Sequence, residues 1–290
     1  MEPLSNRLSS LLEESGAVAF GAAEAKPVED SDWRRFQSWL ESGFHAGMAY
    51  MENYPEIRRD PRMLLQDAST VISIAYNYRQ PNPYRGVATY ALGRDYHKVL
   101  RRLLKGVVRR ISEEFGGAWR ICIDSAPILE RYWAERCGVG RRSDVHGNII
   151  VPGVGSMVFL AELITTHRIE NLSFQKYVAS AAERQGCDGP ALCPTGALQP
   201  GGMVDSRRCI NYLTIEKREE LSPEEELLRG DAVFGCDICQ RACRENRGEC
   251  IEVMPEFKPL PGLGEFLRGE SSGFDLQVSP LSRSRRFRRE

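Results

Sequence analysis

The sequence predicts a mixed α+β chain in which a larger N-terminal domain is followed by a small cysteine-rich module. Three observations carry this. Strand-like and helix-like segments alternate up to about residue 168. From about residue 180 the texture changes to short, turn-rich segments, and seven of the nine cysteines fall between 187 and 250. The remainder, "FKPLPGLGEFLRGESSG", reads as chain returning over the first two parts. The expected boundaries are 1–178, 179–255 and 256–290, the last with a basic end. With 290 residues, 42% of them hydrophobic, the chain can build one large core, or a core plus a small module.

The elements follow in order. Leu4, Leu8, Leu11 and Leu12 share one helical face, and Gly16 stops that helix. "AVAFGAA" reads as a short strand, and "DWRRFQSWLESGFHAGMAYMENY" as a helix in two pieces broken near Gly43. "TVISIAYNY" (70–78) is a buried strand ended by the turn residues of "RQPNPYRG". "DYHKVLRRLLKGVVRRISEEFG" is an amphipathic helix with Leu100, Leu103, Leu104, Val107, Val108 and Ile111 on its apolar face. "WRICI" (119–123) is a strand delivering Asp124, and "SAPILERYWAERCG" is the helix expected after it. "GNIIV" and "SMVFLAELIT" are strands on either side of a Pro-Gly turn.

Formal net charge is −1, so the bulk charge favours no polyanionic partner. The last ten residues, "LSRSRRFRRE", nevertheless hold five arginines and one acid. No apolar run approaches a membrane span, and the N-terminus lacks the zones of a signal peptide. A cytoplasmic monomer without membrane attachment is expected. In a reducing compartment, nine cysteines, an odd and clustered set, point to metal rather than disulfides.

"CDGPALCPTGALQPGG" (187–202) ends as a bacterial iron–sulfur motif ends, C-x2-C-x2-C-x3-C-P. Anchored on Cys193, that motif requires cysteines at 183, 186 and 189, where this chain has Glu183, Gly186 and Gly189. In two-cluster ferredoxins the cysteine before proline serves the other cluster. Cys193 then joins Cys209 of "DSRRC" and Cys236 and Cys239 of "GCDICQRAC" as a complete set of four thiolates. Zinc also suits four thiolates; the Cys-Pro-Thr-Gly ending favours iron–sulfur. The other cluster has lost three of its ligands, leaving Cys187 and Cys243 as a degenerate second site.

"DSRRCINYLTIE" followed by "FGCDICQ" resembles the ferredoxin-like part of the epoxyqueuosine reductases, cobalamin-dependent enzymes of queuosine synthesis in tRNA. "RRDPRMLL", "YALGRDYHKVL", "IDSAPILERYWAERCGVG" and "GSMVFLAELIT" resemble the cobalamin-binding half of that family. The chain departs from the family in its first cluster motif, in "RRSDVHGN" where a Gly-Lys-Asn core is usual, and in Arg244 where a proline usually follows Cys243. "SPLSRSRRFRRE" falls where short members end, so the helical-repeat extension of longer members is not expected.

The resemblance implies a cobalamin-binding reductase domain, a ferredoxin-like 4Fe-4S module and reductive removal of the epoxide oxygen from epoxyqueuosine at the tRNA wobble position. It implies Asp124 as proton donor and cobalamin contact. Burial is expected to raise its pKa; the alternative is an N-cap for a helix beginning at Ser125. Further cobalamin contacts implied are Arg59, Ser156, Asn211 and Asp237, with local ion pairs, a strand-start turn and an ordinary cap as their alternatives. His97 is a lesser candidate for the same pocket. A tRNA anticodon stem-loop is the implied partner, met by Lys217, Arg218 and the basic tail with its Phe287. A soluble ferredoxin or flavodoxin is the implied electron donor. The alternatives in other classes are a reductase of a small molecule and a non-catalytic metal- or cobalamin-binding relative.

Overall fold

The structure is a computed structural model that describes residues 2–177, 192–247, 251–270 and 274–283. Chain order begins with α1 (Leu4–Glu14), β1 (Ala19–Glu24), α2 (Asp30–Glu41), α3 (Pro55–Arg59), β2 (Thr70–Asn77), α4 (Tyr96–Phe115) and β3 (Trp119–Cys122). It continues with α5 (Glu130–Arg136), β4 (Arg141–Arg142), β5 (Ile149–Ile150), β6 (Val158–Thr165) and β7 (Ser173–Gln175). Among the described residues the cysteine-rich part adds β8 (Leu198–Gln199), β9 (Met203–Val204), α6 (Pro223–Arg229) and α7 (Ile238–Ala242), and α8 (Leu263–Arg268) follows.

Five strands make one sheet in the order β3-β6-β2-β1-β7, with every pairing antiparallel. The alternation of strand side chains divides the core between two faces. Ile72, Ile74 and Tyr76 of β2 pack with Ala161 and Leu163 of β6 against α1 and α4. Val71 and Ala75 pack with Ile164 on the opposite face, against Tyr132 and Trp133 of α5 and Trp33 of α2. The end of α5 lies so close to β1 that a side chain at Gly21 would strike the Cys137 carbonyl. β2 is buried along its whole length, its polar Thr70, Ser73 and Asn77 included.

Three elements differ from the sequence reading. α2 ends at Glu41 and Gly43 adopts φ +66°, but the second helical piece shrinks to one 3-10 turn, Ala49–Met51. The apolar face of α4 also takes in Val99, while Leu103 and Val108 are only partly covered. The helix expected from Ser125 begins only at Glu130.

The cysteine-rich part is fastened to the sheet by polar ties. Gln240 Nε2 donates to the Ser156 carbonyl (2.7 Å), Asn246 Oδ1 accepts from Ser156 N (2.8 Å), and Trp39 Nε1 donates to the Val204 carbonyl (2.8 Å). The stretch from 251 to 283 runs back over both. The Glu252 carbonyl accepts from Asn77 Nδ2 (3.1 Å), Glu256 O from Arg94 N (2.7 Å) and Val278 O from Asp95 N (2.8 Å). Val87, Leu92, Phe234, Leu263 and Leu281 close a third apolar cluster around that return. Among the described residues no helix is long and apolar enough to cross a membrane.

Candidate active site and cysteine cluster

β3 ends at Cys122, and two residues later the chain turns sharply at Asp124, which sits in left-handed backbone at φ +55°. A non-glycine residue there costs about 1–3 kcal/mol and persists only where its surroundings hold it. Two contacts do. The Asp124 N–H donates to Glu130 Oε1 at 2.6 Å, and Asp124 Oδ2 lies 2.9 Å from His97 Nε2. The carboxylate remains 55% exposed, so it faces an opening rather than the core. Tyr50, Tyr90 and Tyr96 all feel its charge.

Both sequence-based expectations for the state of Asp124 are corrected. It caps no helix, because α5 starts six residues later with Leu129 at the cap position. Its carboxyl is not raised either. Desolvation is the largest influence and pushes the group up, but the hydrogen bond and charge of His97, with Arg283 and Tyr96, together hold it below the usual carboxylate range.

His97 belongs to this site. It opens α4 beside Asp95, whose side chain caps the helix by accepting from His97 N (3.0 Å). The same Asp95 oxygen lies 2.8 Å from His97 Nδ1, so each ring nitrogen faces a carboxylate. Ionised carboxylates only accept, so both nitrogens carry protons and the ring is an imidazolium. Desolvation works against that charge, yet the bonds to Asp124 and Asp95 outweigh it and leave the His97 pKa raised. Arg283 from the returning segment reaches Asp95 Oδ2 at 3.5 Å and adds positive charge at the same place.

Sequence reasoning missed Glu130 altogether. Burial, then the Asp124 charge, raises its carboxyl to about 7. Its signal was its place in "SAPILERYW", at the first turn of a helix and six residues after Asp124. Deeper, Glu162 of β6 is fully buried with Ser73 Oγ 3.2 Å from one oxygen, and burial pushes its carboxyl well up.

The four cysteines come together from distant stretches. The charge of Cys193 acts on Cys209, and Cys193, Cys209 and Cys236 all act on Cys239. Burial pushes the Cys236 thiol up to about 11 and Cys239 to about 12, the other sulfurs adding to the effect. Cys193 is held low instead: burial raises it, but the Thr195 hydroxyl at 3.3 Å and backbone N–H groups, including Ala197 N at 3.4 Å, more than compensate. N–H groups aimed at sulfur stabilise ligating thiolates. Among the described residues no three His, Cys, Asp or Glu side chains gather closely enough to hold one metal ion. Four thiols within mutual electrostatic range are the ligand number that a 4Fe-4S cluster takes. Cys243 is buried and disulfide-bonded, apart from these four. Cys187 lies outside the described residues.

The remaining expected site residues divide. Asn211 occupies the cap position of the π-helical turn Tyr212–Glu216 without capping it. Its side-chain amide instead pairs with the Cys236 backbone, accepting from N (2.9 Å) and donating to O (3.1 Å). Asp237 is buried and accepts from Thr89 N (2.9 Å) and Thr89 Oγ1 (2.5 Å), and among the described residues it forms no ion pair. Its charge reaches Tyr78 and Tyr90; Tyr78 also feels Cys239, and Tyr90 also feels Asp124. Asn211 thus braces the Cys236 backbone, and Asp237 shares with Asp124 an influence on Tyr90. Ser156 is buried under Asn246, and Arg59 pairs with Asp30 (2.7 Å) over the Trp33 ring. Lys217 pairs with Glu225 (2.8 Å), and Arg218 is exposed.

Residues 58–125 match the family described as "Epoxyqueuosine reductase QueG, DUF1730", and residues 190–246 match "4Fe-4S double cluster binding domain". The chain is 35% identical over 255 residues to the epoxyqueuosine reductase of Cellulophaga algicola, covering 86% of this chain and 81% of that protein. An epoxyqueuosine reductase solved with an epoxyqueuosine-modified tRNA-Tyr stem loop superposes with a TM-score of 0.78 at 28% identity, over 89% of this chain and 69% of that one. The Bacillus subtilis enzyme, solved with its catalytic aspartate loop swung out of the active site, gives 0.75 at 29% identity over the same shares. Site motifs in the expected order, a mixed α+β fold shared with solved relatives and this identity along most of both chains agree: the chain belongs to the epoxyqueuosine reductase family.

Proposed function

We infer that the protein is an oxidoreductase that removes the epoxide oxygen from epoxyqueuosine at the wobble position of a tRNA anticodon. The change leaves an alkene and water, and consumes two electrons and two protons. What carries the reading is the His97–Asp124 pair at an opening whose other border, through Tyr90 and Asp237, leads to the four cysteine thiols.

The proton is held between His97 Nε2 and Asp124 Oδ2 (2.9 Å). Asp124 is the more exposed of the two, so it delivers the proton to the departing oxygen and draws its replacement from His97. This replaces a donor that stays protonated on its own. Cobalamin fits the opening on one observation: a carboxylate stands exposed among tyrosines instead of being packed over. Asp124, Asn211 and Asp237 are the residues to hold it, whereas Arg59 and Ser156 are committed to Asp30 and Asn246. When bound, it supplies a reduced, soft metal nucleophile.

Cys193, Cys209, Cys236 and Cys239 would hold one 4Fe-4S cluster, which would supply a one-electron route from a soluble donor of the ferredoxin or flavodoxin type. The substrate base must leave its stack to reach Asp124. Arg218 is exposed and available to phosphate, whereas Lys217 must first give up Glu225; the arginines of the tail beyond residue 283 lie outside the described residues. Incubating the reduced, cobalamin-loaded protein with an epoxyqueuosine-containing stem loop and weighing the digested nucleosides tests the activity. Loss of one oxygen from the modified base is expected. An unchanged mass with the stem loop, alongside reduction of the free nucleoside, assigns a small-molecule substrate instead.

A further inference from the structure

Asp124 keeps a left-handed backbone that non-glycine residues adopt uncommonly, Asp more readily than most, in a stretch with no regular secondary structure between β3 and α5. Its side chain is held by His97, but its main chain is held by one group outside the turn, the Glu130 carboxylate at 2.6 Å from the amide nitrogen. Glu130 is the first residue of α5, a helix locked onto the sheet through Tyr132, Trp133 and the close Gly21–Cys137 approach. The carboxylate therefore links a strained turn to a rigid element.

We propose that Glu130 is a positioning residue: its carboxylate grips the Asp124 amide and holds the turn that presents the Asp124 carboxyl to the opening. The proposal rests on the reading of Asp124 as the proton-delivering group, but the grip itself is measurable without turnover. A carboxylate accepts more strongly than a carboxylic acid, so protonating Glu130 loosens the turn. Burial and the Asp124 charge bring that titration to about 7. The groups around Glu130 are Asp124 in the turn, Arg131 on α5, Tyr96 and His97 on α4, Cys122 on β3 and Glu162 on β6. Of these, His97 works the opposite way: desolvation lowers its pKa, its bonds to Asp124 and Asp95 raise it beyond that, and loss of its proton at higher pH frees the Asp124 side chain while the ionised Glu130 keeps its hold on the amide.

Hydrogen exchange of the Asp124 amide, followed on the full-length protein without RNA from pH 6 to pH 8, tests the grip. Glu130→Ala is expected to speed exchange at residue 124 about tenfold to a hundredfold, the factor that loss of a hydrogen bond to a charged group gives. Glu130→Gln keeps a neutral acceptor and is expected to fall between the two. Protection in the wild type is expected to weaken as the pH falls through 7, while Glu130→Gln stays flat after correction for intrinsic exchange. In turnover, Glu130→Ala lowers kcat and leaves KM for the stem loop unchanged. Unaltered protection at Asp124 in a Glu130→Ala protein whose β2 amides exchange normally overturns the proposal. If that variant does not fold, an identical pH dependence in wild type and Glu130→Gln overturns it equally.

Discussion

His97 is a charged ring clasped between two carboxylates, Asp95 at 2.8 Å and Asp124 at 2.9 Å, and the pH behaviour of the site follows from that arrangement. The folded pKa of His97 is raised, so its contribution to stability is fully present below the unfolded value of about 6.5 and is lost as the pH rises through the folded value. Asp95 and Asp124 are lowered, so their contribution is present above about 3.9 and is lost as the pH falls through their folded values. The pair is complete between those limits. Asp95→Asn removes one of the two partners that hold the proton on His97. It is expected to move the alkaline limb of the pH–rate profile to lower pH while leaving the acid limb in place. An unmoved alkaline limb would mean that His97 does not supply the proton. Asp124 was legible in the sequence because it follows a short apolar strand; the sign of its pKa shift was not. Burial alone raises a carboxyl, and His97, Arg283 and Tyr96, brought from other stretches of the chain, reverse the result.

The turn from β3 to α5 shows how an element can be read correctly in kind and wrongly in extent. "SAPILERYWAERCG" does form a helix, but Pro127 and the left-handed Asp124 prevent the backbone from entering it before Glu130. That delay of one turn makes Asp124 a free-standing carboxylate instead of a cap. In the cysteine-rich part, Gly235 has a similar structural role. It sits at φ +72°, and a Cβ there would lie 2.7 Å from Tyr90 Oη, 2.8 Å from Ala88 Cβ and 3.1 Å from Asn211 Oδ1. Gly235→Ala is expected to cost about 1–2 kcal/mol for the backbone alone, with Tm falling by roughly 2–8 °C. It should also reduce iron per chain, because the strain falls on the Asn211–Cys236 pairing. Unchanged iron and Tm would show that this close packing does not support the cluster. The glycine was visible in "FGCDIC", whereas the tyrosine it faces comes from a segment far earlier in the chain.

Across the whole molecule the returning segment joins the two halves of the site. It buries Phe257 against the sheet, places Leu263 and Leu281 beside Phe234, and brings Arg283 to Asp95. The motif spacing made the cysteine quartet legible, because a cysteine before proline implies partners elsewhere in the chain. The spacing did not reveal that Asp237, next to Cys236, acts on Tyr90, which also feels Asp124, since that proximity depends on the antiparallel sheet and its polar ties to α7. A net charge of −1 leaves RNA affinity to local arginines. Changes inside the opening should therefore affect chemistry and leave RNA binding alone. Single turnover of pre-reduced protein with an epoxyqueuosine stem loop, wild type beside Asp124→Ala, measures this directly. The expected result is equal RNA affinity and equal iron and cobalt content, with conversion slower by roughly a hundredfold or more in the variant. Equal conversion rates in the two proteins would contradict the account.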